Sequence, residues 1–220
     1  MQCIHRHSIA EHPACFAQGM IGPKQLAAFE RETGTPWYQH QDMRMGYLDI
    51  ETDNLKADFG TMLSWAIKEK DGPTTYGVIT REELFDGTTD RNLVNTLVQE
   101  LSKYKIIVTY YGTGFDMPFT RAKALHYNLP FPGYGEQYHF DLYYLVKSKL
   151  CISRKSLAVA TAYLGIPGKT PLTGEVCNAA KYGHPIALGK VVEHNVADVE
   201  ILEQLHNRLS PFRKWVRTSI

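Results

Sequence analysis

The sequence predicts an α/β fold: a mixed central sheet flanked by helices, with a helical C-terminal half. Three observations predict it. Short runs with strand character fill residues 45–80, and a compact β-branched run, IIVTYY, follows the first amphipathic helix. Beyond that run the pattern is helical to the C-terminus. With 220 residues and 44% hydrophobic content, the chain is long enough to bury the core of one such domain.

The elements follow in order. MGYLDIET (residues 45–52) reads as a strand, with residues 61–69 and 74–80 as two more and Gly72-Pro73 in the turn between them. DRNLVNTLVQELSKY places Leu93, Leu97, Val98 and Leu101 on one helical face, opened by Asp90 as N-cap. Residues 106–111 form a buried strand, and Gly112-Thr113-Gly114 a tight turn. FDMPFTRAKALH starts a helix, with Pro118 tolerated in its first turn. HFDLYYLVKSKL and SRKSLAVATAYLG read as two further helices. A long one runs from about Pro185 to Leu209 and stops before Pro211.

Charge excludes little. With 24 basic against 23 acidic residues, the chain lacks the basic excess of a protein that coats nucleic acid, but an enzyme gripping one strand end needs few phosphate contacts. MQCIHRHSIAEHPAC has no apolar core of a signal peptide, and no run approaches the ~20 apolar residues of a membrane span. The expectation is therefore an intracellular (cytoplasmic) protein with reduced cysteines and no membrane partner.

Three acidic sites carry the chemistry. Asp49 and Glu51 flank Ile50 in a strand, so period-two alternation puts both carboxylates on one face. Adjacent like charges there are unfavourable unless a proton or a cation neutralises them, and hard Mg²⁺ or Mn²⁺ prefers such oxygen donors. A pair of this kind alone is weak, since exposed strands carry many. Asp116 follows the Gly112-Thr113-Gly114 turn at a helix start. It is either a plain N-cap or a carboxylate facing the C-terminal edge of the sheet, where α/β sites collect. His194 and Asp198, four apart in the last helix, share a helical face.

In that order, YLDIET, YYGTGFDMP and HNVAD resemble the three exonuclease motifs of the DEDD superfamily, which has a ribonuclease H-like fold. Phe115-Asp116 with Pro118 is similar to the YprB-type branch, and SLAVATAYLGI resembles a helix of that branch. The resemblance spans roughly residues 45–209. It implies a ribonuclease H-like exonuclease domain over residues 41–220, preceded by an N-terminal extension over residues 1–40. It implies Asp49, Glu51, Asp116 and Asp198 as ligands of two Mg²⁺ or Mn²⁺ ions, and His194 as general base. The implied activity is 3′–5′ hydrolysis of phosphodiester bonds at single-stranded DNA or RNA ends. The residue types suit it, because two metals about 3.5–4 Å apart supply both a nucleophile and leaving-group neutralisation. A His with an ordinary pKa of about 6.5 suits proton transfer at neutral pH.

The sequence departs from the pattern twice. Family members carry a Tyr four residues before the last Asp or a His five before it, whereas this chain has His at the four-residue spacing. Tyr111 stands where the branch commonly has Asn.

Competing readings are a ribonuclease H-like endonuclease acting on hybrids and a non-catalytic nucleic-acid-binding module. Four converging negative charges argue against the second. The extension holds a separate candidate: Cys3, His7, His12 and Cys15 (or His5 in place of His7) make up a Cys₂His₂ set for a structural Zn²⁺. Asp141 reads as a helix cap. Lys147, Lys149, Arg154 and Lys155 form a candidate phosphate track or a solvated surface, and Tyr110, Tyr111, Phe115, Tyr143 and Tyr144 read first as core. The basic, aromatic PFRKWVRTSI either lies on nucleic acid or packs Trp215 on the domain.

Overall fold

Five strands hydrogen-bond into one mixed sheet in the order β3-β2-β1-β4-β5. The computed structural model describes Cys3, Arg6, residues 23–34, residue 36 and residues 43–212 apart from 134 and 169. Strands β1 (Met45–Thr52), β2 (Met62–Glu69) and β3 (Thr74–Val78) form an antiparallel meander. β4 (Ile106–Thr109) runs parallel to β1, and β5 (Tyr138–Asp141) parallel to β4. Parallel neighbours need a crossover, and between β4 and β5 it is α4 (Asp116–His126).

The sheet is apolar on both faces. Leu48 and Ile50 of β1, with Trp65 and Ile67 of β2, pack with Leu93, Val94, Leu97 and Leu101 of α3 (Arg91–Leu101) in one cluster. Met45, Tyr47, Ala66 and Val108 join a second cluster. It contains Leu142 and Val146 of α5 (Leu142–Lys149) and Val199, Leu202 and Leu205 of α8 (Pro185–Leu209). Pro185 sits in the first turn of α8, where its missing N–H has no intrahelical partner to lose. Among the described residues, no helix is long and apolar enough to cross a membrane.

The structure corrects the sequence reading in four places. HFDLYYL is not one helix: its first residues are β5, and the chain turns helical only after Asp141. The extension contains a helix, α1 (Pro23–Thr33), whose Leu26 and Phe29 dock on the second cluster. Two short helices were not anticipated, α2 (Arg81–Phe85) and α7 (Gly174–Lys181). The first is closed by a reciprocal capping box of Thr80 and Glu83.

The fourth correction is Asp90, which precedes α3 without a side-chain cap bond. Its fully buried carboxylate instead accepts the Met62 N–H at 2.7 Å, pairs with Lys123 at 3.1 Å and accepts the Tyr127 hydroxyl.

Of the candidate zinc ligands, His7, His12, Cys15 and the alternative His5 lie outside the described residues. Cys3 is buried in the second apolar cluster with Met43. Helix α6 (Leu157–Tyr163), capped by Ser156, occupies the core of SRKSLAVATAYLG.

Candidate active site

Asp49 and Glu51 leave β1 on the same face as Met45 and Tyr47, opposite Leu48 and Ile50. The β1–β2 register shifts between Glu51 and Thr52, so the ladder is irregular beside Glu51, a place where bulges re-aim side chains. Helix α8 packs on β1 and β2 and buries His194, Asn195 and Asp198. Asn195 lies within this contact: its Nδ2 donates to Asp49 Oδ2 at 2.6 Å, while its Oδ1 accepts the Ser64 hydroxyl at 2.7 Å. A fully buried amide satisfied on both ends fixes the rotamer of the carboxylate it holds.

Asp116 arrives from the other direction. It is the first residue of α4, and the cap position before it, Phe115, makes no side-chain cap bond. The Asp116 carboxylate does not serve as a cap. Its Oδ1 accepts the N–H of Ile50 at 3.1 Å, the residue between Asp49 and Glu51. One hydrogen bond thus ties the second predicted segment to the first.

His194 brings in the third. Its Nε2 lies 3.5 Å from Glu51 Oε1 and 3.8 Å from Asp198 Oδ2. Its Nδ1 is 3.2 Å from the Thr170 hydroxyl. If Thr170 accepts the Nδ1 proton, the Nε2 lone pair faces the carboxylates.

The electrostatics follow from this crowding. Although part of Asp49 reaches solvent, its carboxyl is held well above the ordinary carboxylate range. Burial is the main cause, followed by the charges of Asp116, Glu51 and Asp198, against the Asn195 hydrogen bond. Burial also pushes Asp116 up to about 7, opposed by its backbone hydrogen bonds and reinforced by Asp141. All five predicted catalytic residues therefore gather at one place.

The donor set fits hard divalent ions: four carboxylates, with no thiolate among them, whose mutual repulsion a cation would relieve. Among the described residues, no three His, Cys, Asp or Glu side chains stand as a ready-made ion-holding group. The side chains are held by protein donors, as the Asn195 and Ile50 bonds show.

The loop between β4 and α4 is built closely. Asp141 accepts the N–H of Tyr143, which is the expected cap, but also those of Tyr111 at 2.7 Å and Thr113 at 3.0 Å. Tyr111 adopts φ 64°, a left-handed conformation costing a non-glycine residue about 1–3 kcal/mol. Gly112 is required here, since a Cβ would meet the Thr109 side chain within 2.5 Å.

Sequence reasoning missed Asn195, Ser64 and Thr170, and saw Asp141 only as a cap. Of the basic residues, Lys147 and Arg154 are exposed, whereas Lys155 is half-buried and already engaged. Its ammonium donates to the carbonyls of Leu150 and Ile152. Beyond Phe212 the basic aromatic tail lies outside the described residues.

Among solved structures, the chain is similar in fold to the family B DNA polymerase from the hyperthermophilic archaeon Pyrobaculum calidifontis, with a TM-score of 0.62 and 23% identity. The match covers 77% of this chain and 25% of the polymerase, so the chain spans a quarter of that protein's length. No curated protein matches it by sequence. The model of the RNase_H superfamily matches residues 46–210, from β1 through the end of α8, and the chain belongs to that superfamily.

Proposed function

We propose that this chain is a DEDD-type 3′–5′ exonuclease, hydrolysing phosphodiester bonds at single-stranded DNA or RNA ends with two Mg²⁺ or Mn²⁺ ions. One observation carries the reading. Asp49 senses the charges of Asp116, Glu51 and Asp198 together, and His194 stands between Glu51 and Asp198. A surface for binding phosphates has no use for four convergent anions, whereas a divalent-metal nuclease requires them. Membership of the RNase_H superfamily supports the same chemistry.

Bound divalent ions would neutralise charge on the scissile phosphate and leaving oxygen and make water more acidic. Asp49, Glu51, Asp116 and Asp198 would hold them. His194 accepts a proton from the attacking water through Nε2, with Thr170 steadying the ring from Nδ1. Water oxygen bonds to phosphorus as the bond to the 3′-oxygen of the preceding nucleotide breaks. That oxygen takes its proton from solvent water, so the shortened strand keeps a 3′-hydroxyl, and His194 returns its own proton to solvent. In this reading the domain spans residues 41–220.

The test is a 5′-labelled single strand, DNA and RNA in parallel, with Mg²⁺ or Mn²⁺. A ladder shortening from the 3′ end and abolished by EDTA is expected. His194→Ala should lower turnover by roughly 10²–10⁴-fold while leaving metal affinity nearly unchanged. Near-normal turnover would remove His194 from the mechanism. Circular strands should resist cleavage; their cutting would point to an endonuclease.

Asn195 touches a ligand, not substrate, and acts by position. Asn195→Ala removes the donor to Asp49 and strands the Ser64 hydroxyl. It should weaken apparent Mn²⁺ affinity or turnover by about 10–100-fold. Metal titration of activity checks this; unchanged affinity and turnover would mean that Asp49 needs no support.

A further inference from the structure

The sheet edge that carries the carboxylates continues into a ridge of aromatic rings that the core does not absorb. Tyr111 and Tyr144 are each 50% exposed. Between them stands Tyr143, its ring centroid 5.0 Å from that of Tyr111 and 5.3 Å from that of Tyr144, both edge-to-face. Tyr110, by contrast, is anchored through its hydroxyl to the Lys155 carbonyl at 2.6 Å.

Tyr111 is held outward at evident expense to the backbone. Its φ is 64°, a conformation that Asn or Gly would adopt more readily. Asp141 fixes its N–H, and its ring lies over Gly114, where any Cβ would come within 2.7 Å of Cε1. Gly114 is two residues before Asp116, so the ring is coupled to the loop that delivers that carboxylate.

Lys147 extends the ridge. It is four residues after Tyr143 and three after Tyr144, on the same side of α5, and is exposed. Rings that accept any base face, beside a cation for phosphate, are the chemistry of single-strand recognition. Paired bases in a duplex have no free faces to offer them.

We propose that Tyr111, Tyr143, Tyr144 and Lys147 form the track for unpaired bases of a nucleic-acid strand whose 3′ end reaches Asp49 and Asp116. This rests on the nuclease reading of the site. It makes the chain selective for single strands through stacking, largely independent of sequence.

The test uses the full chain with Ca²⁺ and a 5′-fluorescent oligothymidylate, against a blunt duplex of the same length, read by anisotropy. Tyr144→Ala and Tyr111→Gly should each weaken single-strand binding by about tenfold and leave duplex binding unchanged. Tyr111→Gly suits the left-handed backbone, so its melting temperature should not fall, which separates lost stacking from lost folding. Equal weakening toward both probes, or none, would overturn the track. Wild-type binding with no preference for single strands would overturn it too. Metal-dependent shortening of the 5′-labelled strand is scored in parallel: if it persists in that case, the nuclease reading stands without the track. If it is missing as well, both fall.

Discussion

Asp116→Asn should abolish strand cleavage and at the same time make the metal-free protein more stable at neutral pH. Its carboxyl is buried and pushed up to about 7 in the folded chain, against an ordinary value near 3.8. Below pH ~3.9 the group is protonated in both states and affects stability little. Between the two values the folded state keeps a proton that the unfolded chain has released. Stability is therefore lost as pH rises through this window, and the full penalty applies above about 7. Asn removes the charge yet keeps an oxygen for the Ile50 N–H. The gain at pH 8 should be on the order of 2–4 kcal/mol, or roughly 5–10 °C in Tm, shrinking toward zero by pH 4. Cleavage should fall by ~10³-fold or more, because several kcal/mol of transition-state charge stabilisation is lost. Thermal melts in EDTA at pH 4, 6 and 8 check the first half. A variant melting below wild type at pH 8 would show that the buried Asp116 charge does not limit the stability of the metal-free protein.

Asp90→Ala should produce the largest loss of stability. The substitution removes the acceptor shared by the Met62 N–H, the Lys123 ammonium and the Tyr127 hydroxyl, and Lys123 is itself only 7% exposed. A buried cation left without its partner costs about 3–5 kcal/mol, or about 10 °C or more in Tm. Lys123 and Tyr127 belong to α4 and its C-terminal cap, and Asp116 begins that helix, so activity should fall with stability. Replacing the pair together, Asp90→Leu with Lys123→Met, should recover much of the loss, since apolar groups of similar volume often substitute for a buried ion pair. Urea denaturation of the wild type and the two variants checks the order; a double variant less stable than Asp90→Ala would contradict it.

How far the sequence was legible depends on the reach of each signal. Period-two alternation in MGYLDIET is local, and it put Asp49 and Glu51 on one face without knowledge of the rest. The 25-residue helix α8 was equally clear, because its pattern repeats over many turns and ends at a proline. β5 was not, since its four residues are mostly half-buried and form a strand only by pairing with β4. Asp90 sits where a cap belongs, and only the fold reveals Met62, Lys123 and Tyr127 around it. Asn195 was overlooked for the same reason: its partners lie 131 and 146 residues away in sequence. One local hint existed: Asn195 stands at helical spacing from Val191, Asp198 and Val199, on the face of the helix that docks. The capping box at Thr80 and Glu83 was a second unused hint.

The proposed nuclease activity requires that the four carboxylates hold divalent metal. The most direct measurement is titration of the full chain with Mn²⁺, followed by calorimetry and by the electron paramagnetic resonance of free ion. Two ions bound per chain, with at least one lost in Asp49→Asn and in Asp116→Asn, is the predicted result. Equal Mn²⁺ uptake by wild type and both variants, or none by wild type, would contradict it.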